Sequence, residues 1–108
     1  MEAQLAIIRS PLEESIISKY QVEHGIQDLW IGYHDQFEKD DWVTVKGQEA
    51  NAIGYLHWAK GEPNNAGGNE RCVAYSFRLG MNDLNCDRQK EFICKMDLYG
   101  NPFSIKLI

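Results

Sequence analysis

Two polar segments of the chain carry oxygen-bearing side chains that could bind a hard cation. Residues 61–72, GEPNNAGGNERC, contain two Glu and several Asn but no large apolar side chain, and residues 81–86 contain an Asn–Asp pair. Calcium binds roughly six to eight oxygens, drawn from carboxylates, amides, backbone carbonyls and water. Five side chains could therefore supply most of the shell of one calcium ion: Glu62, Asn64, Glu70, Asn82 and Asp83.

The three cysteines, Cys72, Cys86 and Cys94, leave the redox compartment open. They form no CxxC pair, and their spacing suits no common zinc ligand set. In an oxidising compartment one pair would form, whereas in the cytosol all three could be small buried hydrophobic side chains. A disulfide between Cys72 and Cys86 would clamp the two polar segments together. It would close a loop of about 15 residues, worth ~3 kcal/mol in the chain-entropy model.

Length and composition indicate one ordinary globular domain. The chain has 108 residues, of which 44% are apolar and 25% charged. Its net charge of −5 argues against nucleic-acid binding, which needs a basic surface. No apolar run reaches the ~18 residues of a membrane span, so we expect no membrane insertion. The acidic start does not fit a secretory signal, so an exported chain is expected to be a fragment or a trimmed mature form.

One helix is predicted near the start of the chain. Ser10 suits the N-cap, Pro11 suits the first helical position and Glu13 suits a capping box, while Gly25 predicts the end. An apolar stripe at helical spacing is predicted from four residues: Leu12, Ile16, Ile17 and Tyr20.

Short strands alternate with long polar loops in the rest of the chain, which predicts an α+β fold. Gly32 within the second strand is expected to permit close backbone approach. Strands are predicted at residues 4–10, 28–34, 40–47, 70–77 and 91–96, and ordered loops at residues 51–68 and 80–89.

Five motifs, taken in order and at their spacing, resemble the C-type lectin domain in its calcium-dependent carbohydrate-recognition form. They are LWIG at 29–32, EPN at 62–64, ERC at 70–72, ND at 82–83 and FIC at 92–94. The loop of residues 61–72 is most similar to secreted lectins of insect blood that recognise microbial surfaces. The resemblance spans residues 4–96 and implies small antiparallel sheets, a helix and a long calcium-binding loop region.

The resemblance also implies how the chain binds sugar. The five oxygen-bearing side chains and the backbone carbonyl of Asp83 hold one Ca²⁺, to which two neighbouring sugar hydroxyls bind. Glu62 with Asn64 serves one hydroxyl, and Glu70 with Asn82 serves the other. The order Glu–Pro–Asn is the family's mannose-type signature and implies equatorial vicinal hydroxyls, as in mannose, N-acetylglucosamine or fucose. Pro63 is expected to follow a cis peptide bond.

Two further implications concern an auxiliary ion and the cysteines. Asp35 and Asn65 are candidate ligands of a second calcium that shares Glu70 and Asp83. Cys72 and Cys86 are the pair expected to form a disulfide.

The sequence departs from the family in two places. Met81 stands where the family usually has Trp, and Met can fill that space with looser packing. The family's first strand and helix, which carry the partner of Cys94, normally precede residue 3. We therefore expect an N-terminally truncated domain over residues 1–96, an unpaired Cys94, and a tail or linker over residues 97–108. That tail is hypothesised to cover part of the gap, or the chain to dimerise through Cys94.

The resemblance therefore implies a secreted, non-enzymatic lectin that recognises microbial glycans in innate immunity, and its shallow site implies oligomerisation for avidity. A metal-independent protein-binding module on the same fold is the alternative. An enzyme is disfavoured, because a Glu62–Glu70 glycosidase pair would be neutralised by the ion. His24, His34 and His57 show no catalytic pattern.

Overall fold

The computed structural model describes residues 3–53, 55–98 and 101–107, with side chains described for residues 5–53 and 55–92. No helix in those ranges is both long and apolar enough to cross a bilayer. The regular elements are, in chain order, β1 (Ala3–Leu5), α1 (Pro11–His24), β2 (Asp28–His34), β3 (Val43–Thr44), 3-10 turns at Ala50–Ile53 and Ala66–Gly68, β4 (Cys72–Ser76), β5 (Gly80–Leu84), β6 (Ile93–Leu98) and β7 (Asn101–Leu107).

The strands form two antiparallel sheets, with strand orders β1-β6-β7 and β3-β2-β4-β5. The two sheets are linked at Trp30 of β2. Trp30 forms a β-bridge with Phe92, and its backbone N–H donates to the Glu91 carbonyl at 2.9 Å. Among the described residues, one α-helix beside small antiparallel sheets confirms the predicted α+β class.

Gly32 lets β2 approach the segment that follows β1. Its N–H donates to the Ala6 carbonyl at 2.7 Å. A Cβ at this position would lie 2.8 Å from the Leu5 carbonyl oxygen, so any larger residue would push the backbones apart. The predicted close approach at this glycine is confirmed.

Helix α1 begins and ends where the capping signals predict. The Ser10 Oγ accepts the Glu13 N–H at 3.2 Å, and the Glu13 carboxylate accepts the Arg9 N–H at 2.8 Å. Gly25 ends the helix in the left-handed conformation, with φ 67°. The first turn therefore satisfies backbone donors that would otherwise lack intrahelical partners.

The predicted apolar stripe of α1 differs in part from the buried face. Ile17 is buried, but Leu12 is 61% exposed and Gln21 is fully buried. The Gln21 amide donates to the Tyr75 carbonyl at 3.1 Å and to the Gln27 carbonyl at 3.3 Å. A polar residue can face the core here because backbone acceptors of β4 and of the helix exit bind its amide.

The core lies between α1 and the sheet of β2, β4 and β5. Alternate residues of β2 and β4 point into it, and most are at least 98% buried: Leu29, Ile31, Tyr33, Val73 and Tyr75. Burying each such side chain stabilises the fold by roughly 1.5–3 kcal/mol. This packing fixes the strand ends from which the two polar segments leave.

The strand predictions hold for β2, β3, β4 and most of β6, but they miss β5 and β7, and of the strand predicted at residues 4–10 only residues 4 and 5 belong to β1. Residues 28–34 form β2 as predicted, and β3 and β4 lie within their predicted segments. Residues 80–84 were predicted to be loop, yet they pair with β4 in regular antiparallel register, with Ala74 opposite Asn82 and Val73 opposite Asp83. The prediction was wrong because GMNDL has a polar residue on each face, which hides the two-residue period.

Strand β7 pairs antiparallel with β6, on the edge of β6 opposite β1. This pairing places residues 101–107 in a sheet, while the boundary between a domain of residues 1–96 and a tail of residues 97–108 stays a prediction. The side chain of Cys94 lies outside the described residues, so its pairing also stays a prediction.

Candidate metal centre

A disulfide joins the two polar segments. Cys72 and Cys86 are bonded, with their Cα atoms 5.1 Å apart, as the sequence predicts. The bond ties the start of β4 to the segment that follows β5. Glu70 and Asp83 are each within three residues of one of these cysteines, so both carboxylates are brought to the same end of the sheet.

Asp83 connects β5 to the loop at Pro63. Its side chain is completely buried. Its Oδ1 accepts the Asn64 N–H at 3.0 Å and its Oδ2 accepts the Asn65 N–H at 2.7 Å. The Glu62–Pro63 peptide bond is cis, as expected from the sequence. A carboxylate on a rigid strand thus positions the backbone that carries Glu62 and Asn64.

Glu70 closes the same loop from its other end. It is 9% exposed, and its Oε1 accepts the Ala66 N–H at 2.8 Å. Its own N–H donates to the Asn65 Oδ1 at 3.0 Å. The Asn64 Oδ1 accepts the same Ala66 N–H at 3.1 Å. Residues 64–70 therefore fold into a compact turn around the Glu70 carboxylate.

Glu62 is the least satisfied carboxylate of the group. One of its oxygens is buried without a hydrogen-bond partner among the described residues, and the other accepts the Asn64 amide at 3.4 Å. Burial raises the pKa of Glu62, and the nearby Asp83 and Glu70 raise it further. The Asp83 and Glu70 carboxylates are thus near enough to Glu62 to disfavour its charge, and a nearby cation would relieve that repulsion.

The residues fit calcium better than a transition metal. Within the described part of the chain, no group of three or more His, Cys, Asp or Glu side chains is arranged so that it could hold a metal ion. An ion here would therefore also depend on Asn amides, backbone carbonyls and water, all of which calcium accepts. Zinc prefers nitrogen and sulfur ligands, and no His or free thiol is described in this loop.

Asn82 lies next to Asp83 on β5 but on the other face of the sheet, because side chains alternate along a strand. It is half-buried and shares a groove with Glu62. The hydrogen bonds described above join Glu62, Asn64, Glu70 and Asp83 through the loop backbone. Asn82 lies close to Glu62 of this group, because both side chains line the same groove.

Asp35, a candidate ligand of an auxiliary calcium, lies beside an arginine. The carboxylate is buried, and its Oδ2 accepts the Asp40 N–H at 2.8 Å. The Arg71 Nε lies 3.8 Å from its Oδ1, and the Arg71 Nη1 donates to the Asp35 carbonyl at 3.1 Å. The guanidinium thus supplies positive charge beside Asp35. Sequence reasoning missed Arg71, although it stands directly after Glu70.

A second group of polar residues, also missed from the sequence, holds the segment that leads into the loop. The Glu14 carboxylate of α1 accepts hydrogen bonds from Tyr55 Oη and, at 2.7 Å, from Tyr75 Oη, and contacts His57 Nδ1 at 2.7 Å. Burial by itself raises the pKa of Glu14, but these partners outweigh it and the net pKa is lowered. The hydrogen bond to Glu14 raises the pKa of Tyr55 to about 12.

The same segment is tied to β5 by its backbone. The Ala59 N–H donates to the Met81 carbonyl and the Met81 N–H donates to the His57 carbonyl, both at 2.8 Å. Met81 is 1% exposed, so the residue that departs from the lectin pattern is a core residue here. These bonds place residue 62 beside the Asn82–Asp83 pair.

The comparisons with known proteins define the class to which this fold and site belong. The model of the family described as Lectin C-type domain matches residues 1–96. The chain therefore belongs to the C-type lectin family. This family is non-enzymatic, recognises carbohydrates and is generally calcium-dependent.

A curated relative agrees with that assignment. The hemolymph lipopolysaccharide-binding protein of Periplaneta americana is 31% identical over 102 residues, which are 87% of this chain and 40% of that protein. The chain therefore spans less than half the length of this curated relative.

Solved structures give the same result. The carbohydrate-recognition domain of the mouse scavenger receptor C-type lectin has a TM-score of 0.75 and 30% identity, covering 85% of this chain and 68% of that one. The Kupffer cell C-type lectin receptor Clec4f, whose structure is described as trimeric, has a TM-score of 0.69 and 30% identity, covering 85% and 61%.

Proposed function

We propose that this chain binds glycans through one Ca²⁺, and that its ligands are sugars with equatorial vicinal hydroxyls, such as mannose, N-acetylglucosamine and fucose. The observation that carries the proposal is the set of three carboxylates on two segments that a disulfide joins, in which one buried Glu62 oxygen receives no hydrogen bond from any described residue. Glu62, Asn64, Glu70, Asn82 and Asp83 are the side chains that would hold the ion.

The ion, when bound, would supply coordination positions for two neighbouring hydroxyls of one sugar. The chain supplies the rest of the recognition. The carboxylates of Glu62 and Glu70 would accept hydrogen bonds from those hydroxyls, and the amides of Asn64 and Asn82 would donate hydrogen bonds to the hydroxyl oxygens. Asp83 keeps Asn64 in place by accepting its backbone N–H at 3.0 Å. Recognition therefore depends on a loop whose backbone is already ordered by hydrogen bonds.

The setting proposed for this activity is extracellular. The cockroach relative is named as a hemolymph protein that binds lipopolysaccharide, and a structural neighbour is a scavenger receptor. The disulfide is in keeping with an oxidising compartment. We propose recognition of microbial surface glycans in innate immunity, with several copies acting together as in the trimeric neighbour.

Retention on mannose resin tests the proposal directly. The chain is expected to bind in buffer with Ca²⁺ and to elute with EDTA or free mannose. Passage through the resin in Ca²⁺ contradicts the mannose-type assignment. Retention that EDTA leaves unchanged contradicts the role of the ion and favours a metal-independent binding module.

A further inference from the structure

A groove extends from the candidate metal centre toward the turn between β4 and β5. It has a volume of about 550 Å³, and Glu62 and Asn82 line one end. The turn residues Phe77 and Leu79 line the other end, and Leu79 is 69% exposed. This volume falls in the range of small-molecule sites. The groove is thus continuous with the proposed sugar site and has apolar surface beyond it.

The two walls of the groove are held together by the backbone. One wall is the segment of Ala59 and Lys60, and the other is β5 with its preceding turn. The Ala59–Met81 and Met81–His57 hydrogen bonds join them. A Cβ on Gly80 would lie 2.7 Å from the His57 carbonyl oxygen, so this segment and β5 pack backbone against backbone beside the groove. The groove is therefore formed before a ligand arrives.

The charges along the groove favour an anion. Lys60 and Arg78 line it, and in the part of the chain that is described neither has a carboxylate partner. The Arg78 guanidinium lies 5.5 Å from the centre of the Phe77 ring. The groove also has an acid, Asp28, but Lys90 binds it at 3.1 Å. Because Glu62 is assigned to the ion, the two groove cations, Lys60 and Arg78, have no carboxylate partner among the described residues.

The distances suit a second sugar residue. Asn82 and Gly80 are two residues apart on β5, about 7 Å along the strand, and the turn that carries Arg78 lies directly before Gly80. This separation matches a sugar ring and its linkage. A ring could place its apolar face on Phe77 or Leu79 while an acidic substituent meets Arg78 and Lys60, because a guanidinium binds carboxylate, sulfate and phosphate alike.

We propose that this groove is a second subsite that binds an anionic sugar residue linked to the neutral sugar in the metal centre. The proposal rests on the proposed function, since the neutral sugar anchors the ligand. It makes the preferred ligand an acidic glycan, in which the neighbouring residue carries a carboxylate, a sulfate or a phosphate.

A matched pair of disaccharides tests the subsite. Glucuronyl-mannose and glucosyl-mannose with the same linkage differ only in a carboxylate. In Ca²⁺ and at low salt, the acidic disaccharide is expected to bind about fivefold more tightly, since two exposed ion pairs give a modest gain. The preference should fall as salt rises. Glucosyl-mannose that carries a 6-sulfate or a 6-phosphate distinguishes which anion is favoured.

Variants separate the subsite from the metal centre. Lys60→Gln with Arg78→Gln is expected to bring the ratio of the two affinities close to one, while binding of glucosyl-mannose and of Ca²⁺ is unchanged. Lys39→Gln with Arg88→Gln, at exposed positions outside the groove, is the control with the same charge change and should keep the ratio.

Each outcome has a definite reading. Equal calcium-dependent binding of both disaccharides by the unmodified chain overturns the subsite but leaves the proposed function standing. A preference for the acidic disaccharide that survives the Lys60 and Arg78 substitutions has the same consequence. Absence of binding to both disaccharides in Ca²⁺ overturns the proposed function and the subsite with it.

Discussion

At the scale of single residues, the candidate centre is organised by buried carboxylates with different partners. Asp83 binds two backbone N–H groups, Glu70 binds one, and Glu62 keeps a buried oxygen without a partner in the described structure. Asp83 and Glu70 thus shape the loop as well as being candidate ligands. Glu62 and Asn64 lie at the open side, where a sugar would meet them.

The Glu62–Asn64 pair is expected to set sugar preference. Glu62→Gln with Asn64→Asp exchanges an acceptor with a donor while it keeps the net charge. Recognition of equatorial hydroxyls should be lost, and retention on mannose resin with it, because each hydroxyl meets the opposite hydrogen-bonding group. Glu38→Gln with Asn51→Asp, at exposed positions, makes the same chemical change and should retain mannose binding. Unaltered mannose retention by the Glu62–Asn64 variant would contradict the assignment.

Arg71 is expected to stabilise the chain by compensating Asp35. Arg71→Ala leaves a buried carboxylate without its cation, so the free energy of unfolding should fall by about 1–3 kcal/mol. Urea denaturation in EDTA measures the loss without any contribution from calcium. Arg88→Ala removes an exposed arginine and should change stability by less than ~0.5 kcal/mol. Equal stability of both variants would mean that Asp35 does not depend on Arg71.

At the scale of elements, the loop is held by contacts from three directions. The disulfide joins its end to the segment after β5, two backbone bonds join residues 57–59 to β5, and the Glu14 cluster joins α1 to Tyr55, His57 and Tyr75. The Glu14 cluster connects the helix with both the loop entry and the core strand β4. A substitution in α1 that breaks these contacts should therefore alter the position of the loop at the candidate centre.

Glu14 should make stability depend on pH in the acidic range. Its pKa in the folded chain lies below the ordinary value of 4.5, so its contribution is complete above that pH and is lost as the pH falls through the folded pKa. Glu14→Gln is expected to cost about 1–3 kcal/mol at neutral pH, because charge-assisted hydrogen bonds are lost. The difference from the unmodified chain should shrink below roughly pH 4.

Denaturation at two pH values in EDTA measures this difference. Glu23→Gln removes an exposed acid from the same helix, whose contact with Lys19 is 4.0 Å, and serves as the control. A gap between Glu14→Gln and the unmodified chain that is constant with pH would show that the Glu14 charge contributes nothing.

Much of the fold could be predicted from local sequence signals. The contacts that hold the candidate site in place could be predicted less well. Ser10, Glu13 and Gly25 mark α1 because caps act through neighbouring backbone atoms. The disulfide and the cis bond at Pro63 were expected from the family pattern and are present. The Glu14 cluster was missed because its members are up to 61 positions apart, and nothing in an isolated first-turn Glu indicates such partners.

At the scale of the whole molecule, one shallow site implies weak binding of single sugars. A monosaccharide has few atoms to bury, so we expect a dissociation constant on the order of 1 mM for free mannose. Surfaces that carry many sugars should bind far more tightly if several chains act together. Calorimetry with free mannose and a surface assay with mannan measure the two values. Equal values for the two would contradict the need for multiple copies.

Calcium titration by calorimetry tests the central claim most directly. After removal of bound metal with EDTA, the chain is expected to bind one Ca²⁺, and Glu62→Gln or Glu70→Gln should each weaken that binding by at least about tenfold, since affinity follows the charge of the ligands. One ion is expected because Arg71 already supplies positive charge beside Asp35. Absence of calcium binding, or binding that neither substitution weakens, would contradict the account.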